Sequence, residues 1–81
     1  MTRTLDQLAP GQKALVKKVG GQGAVRRRLM DMGVVRGVEV ELLKAAPLGD
    51  PLEYRLRGYL LSLRKAEARM IEIDAEREDG T

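Results

Sequence analysis

Cysteine and histidine are both absent from this 81-residue chain, which leaves carboxylates, amines, guanidiniums and a few hydroxyls as the side chains able to do chemistry. Without a thiol or an imidazole the chain has no ready nucleophile and no base that titrates near neutral pH. The nitrogen and sulfur donors that zinc and ferrous ions favour are missing as well. Carboxylates remain, and Glu39/Glu41 and Glu72/Asp74 each fall on one face of a strand pattern, where hard divalent ions are sometimes held. Outward acids on a half-buried strand are nevertheless the ordinary solvated arrangement, and any ion on them would be weakly held. The glycine run Gly20-Gly21-Gln22-Gly23 has neither the Lys-Ser/Thr of a phosphate loop nor a dinucleotide fingerprint within a βαβ unit. The sequence therefore assigns no catalytic residue, no metal ligand and no cofactor, and points to a chain that is recognised rather than one that catalyses.

Recognition would draw on two strings. The first runs Arg27-Arg28-Leu29-Met30-Asp31-Met32-Gly33-Val34-Val35-Arg36-Gly37, and the second is Ala45-Ala46-Pro47-Leu48-Gly49-Asp50-Pro51. Candidate partner-binding residues are Arg28, Leu29 and Met32 from the first and Pro47, Leu48, Asp50 and Pro51 from the second. Each has a plainer reading. Leu29 and Met32 fit the apolar stripe of a helix. The arginines suit a solvated face, and two prolines around Gly-Asp simply stiffen a hairpin loop. Leu48 discriminates, since an apolar side chain at a loop tip either caps the core or awaits a partner. If the helix end and the proline loop form one docking surface, Leu29, Met32, Leu48 and Asp50 should lie within reach of each other.

The elements that must carry these strings are mostly strands. Thr4 to Leu8 reads as a short turn with Leu5 and Leu8 facing the core, closed by Pro10-Gly11. Gln12 to Val19 alternates as a strand, with Ala14 and Val16 inward, Lys13 and Lys17 outward, and a break in the alternation at Lys18-Val19. Ala24 to Met32 is the one convincing helix. Its apolar face is Val25, Leu29 and Met32, and Gly33 stands where a left-handed residue ends a helix. Val38–Leu42, Leu52–Arg57, Tyr59–Leu63 and Ile71–Asp74 each alternate with period two, and Arg64–Arg69 reads as a short helical turn. In the third of these, Tyr59 shares a face with Leu61 and Leu63. About five short antiparallel strands and one principal helix predict a mainly-β domain that curls into a small SH3-like barrel, closing most of its edges. Residues 1–75 form this single domain, and 76–81 read as a short, acidic, frayed tail.

A domain near this size hides only roughly 60% of its extended-chain surface, so the aliphatic core must supply the stability. The formal charge is +3, unevenly spread. Residues 17–36 hold Lys17, Lys18, Arg26, Arg27, Arg28 and Arg36 against Asp31 alone, and the end of the chain is acidic. Such asymmetry steers a partner towards one face. Nucleic acid is an alternative partner, but small barrels that bind it pair a basic groove with stacking aromatics. Here only Tyr54 and Tyr59 are aromatic, and Tyr54 points inward with Leu52 and Leu56. The absence of cysteine, of a signal-peptide core and of an apolar run of ~20 residues fits a soluble cytoplasmic protein.

Over residues 4–74 the order and spacing of several strings resemble the ferrous iron transport protein A (FeoA) family. They are Leu5-x-x-Leu8-x-Pro10-Gly11, Arg28-Leu29-x-x-Met32-Gly33 with Gly37, Ala46-Pro47-Leu48-Gly49-Asp50-Pro51, and Leu61-x-Leu63-Arg64-x-x-Glu67-Ala68. The resemblance implies an SH3-like barrel and a cytoplasmic accessory or regulatory role beside FeoB, the membrane GTPase that imports ferrous iron. It implies protein contact rather than iron carriage, and attachment to the membrane only through that partner. An arginine supplied in trans to the GTPase would come from Arg26, Arg27 or Arg28. A weak homo-oligomer through an exposed edge or Leu48 is compatible with it. The alternatives are a nucleic-acid-binding barrel and a stand-alone regulatory domain related to the C-terminal part of metal-dependent repressors.

Overall fold

The computed structural model describes residues 3–74; the acidic segment 76–81, read above as a frayed tail, lies outside them. Six strands form one antiparallel sheet: β1 Arg3–Thr4, β2 Lys13–Val19, β3 Glu39–Ala45, β4 Leu52–Leu56, β5 Tyr59–Leu63 and β6 Ile71–Asp74, in the order β1-β6-β2-β3-β4-β5. The main helix, α1, is Gly23–Asp31, one residue earlier than the apolar face suggested, and a single turn, α2, spans Lys65–Ala68. The expectation of a mainly-β domain with one principal helix holds, with two differences. A sixth strand is present, because Arg3 and Thr4 pair with Ile73 and Glu72 before the chain enters the 3-10 turn Leu5–Gln7. The hydrogen-bonded ladder also stays open, with β1 and β5 as its two ends.

Alternation decides what is buried. Ala14, Val16, Val40, Leu42, Leu52, Tyr54, Leu56, Leu61, Leu63, Ile71 and Ile73 point inward, and Leu5, Leu8 and Leu29 close over them. The break foreseen at Lys18-Val19 is a register shift of β2 against β6 between Val16 and Lys18, which turns Lys17 and Lys18 outward in succession. The 3-10 turn is fastened to the sheet from inside, since the Tyr54 hydroxyl donates to the Leu5 carbonyl at 3.1 Å. Burial of that phenol, with the Asp6 carboxylate adding to the effect, pushes its pKa well above the ordinary tyrosine value.

Helix α1 ends as its glycine requires. The Gly33 N–H donates to the Met30 carbonyl and the Val34 N–H to the Leu29 carbonyl, both at 3.0 Å, a Schellman closure whose Leu29 and Val34 are both buried in the core cluster. Gly33 has φ +97, and a Cβ there would stand 2.6 Å from the Tyr59 hydroxyl oxygen. Tyr59 departs from its expected inward place. It is 42% exposed, as the first residue of the edge strand β5, with its hydroxyl end beside Gly33 at the helix terminus. The Gly20-Gly21 pair makes a close approach: the Gly20 N–H donates to the Met70 carbonyl at 2.6 Å, and a Cβ on Gly21 would meet the Met70 sulfur.

Candidate partner-docking surface

The loop between β3 and β4 is built stiff. Gly49 N–H donates to the Ala46 carbonyl at 2.7 Å, and Ala46 N–H to the Pro51 carbonyl at 2.9 Å. Pro47 takes the position of this four-residue turn that suits its fixed φ, and Gly49 supplies the positive φ of +87 at its end. The Asp50–Pro51 peptide is cis. Asp50 reaches across the fold, its Oδ1 accepting the N–H of Lys65, the first residue of α2, at 2.9 Å. Asp50 thus acts as a remote cap for α2, satisfying one of the donors a helix start leaves free.

That scaffold holds Leu48 out at the tip, 95% exposed. Isolated apolar side chains on a surface are common; this one differs in being fixed on a turn with little entropy left to lose. Beside it opens a shallow cleft of about 400 Å³ between the loop and the edge strand, lined among others by Lys44, Pro47, Pro51, Glu53 and Ser62. Lys44 and Glu53 form an ion pair across it at 3.9 Å.

On the other side of α2 stands Arg28, paired with Glu67, whose second carboxylate oxygen accepts the Arg64 N–H at 2.9 Å. Arg28 and Asp50 therefore grip the same short helix from different elements. The remaining expected members lie apart. Leu29 is 0% exposed and belongs to the core; it cannot touch a partner while the fold is intact. Met32 is half-buried against the core. Its neighbour Gly33 lies beside Leu56 and Tyr59, at the end of the β3–β4 hairpin away from Leu48. Between those ends run the pairs Val40↔Leu56 to Ala45↔Leu52, about 17 Å of strand. The single patch of Leu29, Met32, Leu48 and Asp50 is thus not formed, because β3 carries the chain away from the helix end before the loop begins.

Exposed apolar side chains that were not marked from the sequence include Leu15 on β2 and, on the edge strand β5, Tyr59 and the 59% exposed Leu60. Counting alternation from Leu61 and Leu63 signals Leu60 as outward, and an outward leucine on an edge is the available clue. Among the described residues no group of three or more acidic, histidine or cysteine side chains is placed to hold a metal ion, and no helix is long and apolar enough to cross a membrane.

A model of the FeoA domain matches residues 3–75. The chain belongs to the FeoA family. A curated relative, the Fe(2+) transport protein A/Fe(2+) transporter FeoB fusion protein of Porphyromonas gingivalis, is 39% identical over 70 residues, which are 86% of this chain and 8% of that protein. The chain thus spans a small fraction of that relative's length. The solution structure of FeoA from Chlorobium tepidum superposes with a TM-score of 0.87 at 44% identity, covering 95% of this chain and 73% of the other. The crystal structure of Stenotrophomonas maltophilia FeoA, a procaryotic SH3 domain protein complexed with zinc, gives a TM-score of 0.80 at 32% identity and covers 89% of both chains. The FeoA fold is thus SH3-like here, on a sheet that curls without closing its ladder.

Proposed function

We propose that this FeoA-family chain is a small cytoplasmic accessory of ferrous iron uptake that acts by contact with a FeoB-like membrane GTPase and does not itself catalyse. The observation that carries this reading is the Porphyromonas gingivalis relative, in which an Fe(2+) transport protein A portion and the transporter FeoB share one polypeptide. Fusing two modules replaces a bimolecular encounter by an intramolecular one at high effective concentration, which is useful when the separate modules also meet. The Stenotrophomonas maltophilia protein has likewise been put forward as a ferrous iron transport activating factor. The chain's own chemistry agrees: with neither cysteine nor histidine, it has no thiolate or imidazole with which to carry ferrous iron tightly. The docking element we assign is the stiff loop that presents Leu48, with Pro47 and Pro51 framing it and Arg28 and Asp50 fixing α2 behind it.

The test is co-purification of the tagged chain with the membrane GTPase, together with iron uptake in a strain lacking the chain. Recovery of the GTPase and restored uptake on complementation are expected. Normal uptake in the deletion strain, with no association, would refute the proposal. Anaerobic calorimetry should also find no ferrous site tighter than about micromolar, and a tight stoichiometric site would replace docking by carriage.

A further inference from the structure

A second surface lies away from the proline loop, where the end of β2 meets α1. Lys17, Lys18, Arg26 and Arg36 ring a cleft of about 220 Å³ whose apolar floor is Val19, Met30 and Val35. The β2 register shift sets Lys17 and Lys18 side by side facing solvent. Arg26 is anchored over the strand end, its Nε donating to the Val19 carbonyl at 3.1 Å. Along α1 the cleft continues into another that shares Arg26 and Met30 and adds Arg27 and Asp31. The three ion pairs among the described residues use Arg28, Lys44 and Arg69, and none uses the four cations of this rim. The carboxylates nearest this rim along the chain or ladder are Glu39, three residues from Arg36, Asp31 on α1, and Glu72, which faces Lys18 across the β2–β6 ladder.

Four like charges drawn together around aliphatic side chains cost repulsion in the free protein, and a ligand that neutralises them relieves it. We infer that this cleft docks an acidic peptide segment of a partner protein, one aliphatic side chain resting on Val19, Met30 and Val35 and flanking carboxylates reaching Lys17, Lys18, Arg26 and Arg36. Charge complementarity selects an acidic occupant, and the floor selects a peptide over nucleic acid. Bases bind such barrels by stacking on aromatic rings, and no aromatic residue lines this cleft. The inference rests on the reading of the chain as a protein-contact accessory and adds a second contact to it.

The test titrates the isotopically labelled chain with an acetylated Glu-Asp-Leu-Glu-Asp peptide, a Lys-Lys-Leu-Lys-Lys control and an oligouridylate. Amide shifts should appear at residues 17–19, 26–30 and 35–36 with the acidic peptide alone, and weaken with added salt. The K18E/R36E double variant, which leaves the Arg26 anchor in place, should bind that peptide about ten- to hundredfold more weakly, since each reversal removes one attraction and adds one repulsion. Shifts that map elsewhere, unchanged affinity in the double variant, or tighter binding of the oligouridylate would each overturn the inference. Co-purification with the GTPase separates it from the docking proposal. Loss with Leu48→Asp but full retention with K18E/R36E would leave the docking proposal standing and discard this second contact. Peptide binding at the cleft in a chain that never associates with the GTPase would do the reverse.

Discussion

Replacing Leu48 by aspartate separates stability from recognition more cleanly than any other change in this chain. The side chain is 95% exposed and makes no part of the core. The hydrogen bonds that hold its turn come from the backbones of Ala46, Gly49 and Pro51. Folding stability should therefore move by no more than about 0.5 kcal/mol, as surface substitutions do. An interface that swallows the leucine gains about 1.5–3 kcal/mol from it. Replacing it by a carboxylate forfeits that gain and adds desolvation of a charge. The expected loss is thus at least about tenfold in affinity for the GTPase, and up to several hundredfold. Leu29→Ala is the contrasting control: it empties a 0% exposed site and should cost about 2–5 kcal/mol of stability, lowering binding only by unfolding the chain. Urea denaturation supplies the first number for each variant, and pull-down with quantified uptake supplies the second. If Leu48→Asp folds like the parent and still restores iron uptake fully, the loop is a hairpin and nothing more.

Tyr54→Phe should cost about 1–3 kcal/mol by leaving the Leu5 carbonyl without its buried donor. It should also flatten the alkaline limb of stability. Because burial raises the folded phenol's pKa, the parent keeps this contribution below the unfolded value of about 10 and loses it as pH rises further, by about 1.4 kcal/mol per unit; denaturation midpoints from about pH 9 to pH 11 measure this slope. Gly33→Ala should destabilise by about 1–3 kcal/mol through its positive φ, and Tyr59→Phe in the same chain should recover only the part due to crowding of the hydroxyl, read from a double-mutant cycle in urea. Asp50→Ala should remove the cap from Lys65 and cost about 0.5–2 kcal/mol, with amide exchange quickening first over α2.

Much of the fold was legible because it is local in origin. Period-two alternation in Leu52–Leu56 or Ile71–Asp74 states which face is wet whatever the strand pairs with, and the stripe ending at Gly33 states both a helix and its stop. The strand Arg3–Thr4 was not legible, since two residues carry no period and become a strand only by pairing with Ile73 and Glu72. Tyr59 was misplaced because alternation cannot register where a strand reaches the rim of the sheet.

For the candidate site the chain alone determined which residues were worth naming: a leucine between turn-forming residues in 47–51, and arginines gathered on one helix. It also ruled out thiol and imidazole chemistry, since those side chains are absent from the whole sequence. Which of the named residues meet was decided only by tertiary structure. Asp50 caps Lys65, Arg28 pairs with Glu67, and Leu29 withdraws into the core while Leu48 stands clear of it. These outcomes depend on strand order and register, set above all by the long-range pairing of β2 with β6. Packing of one sheet face against another fixes such pairings, and no short window of sequence contains both partners.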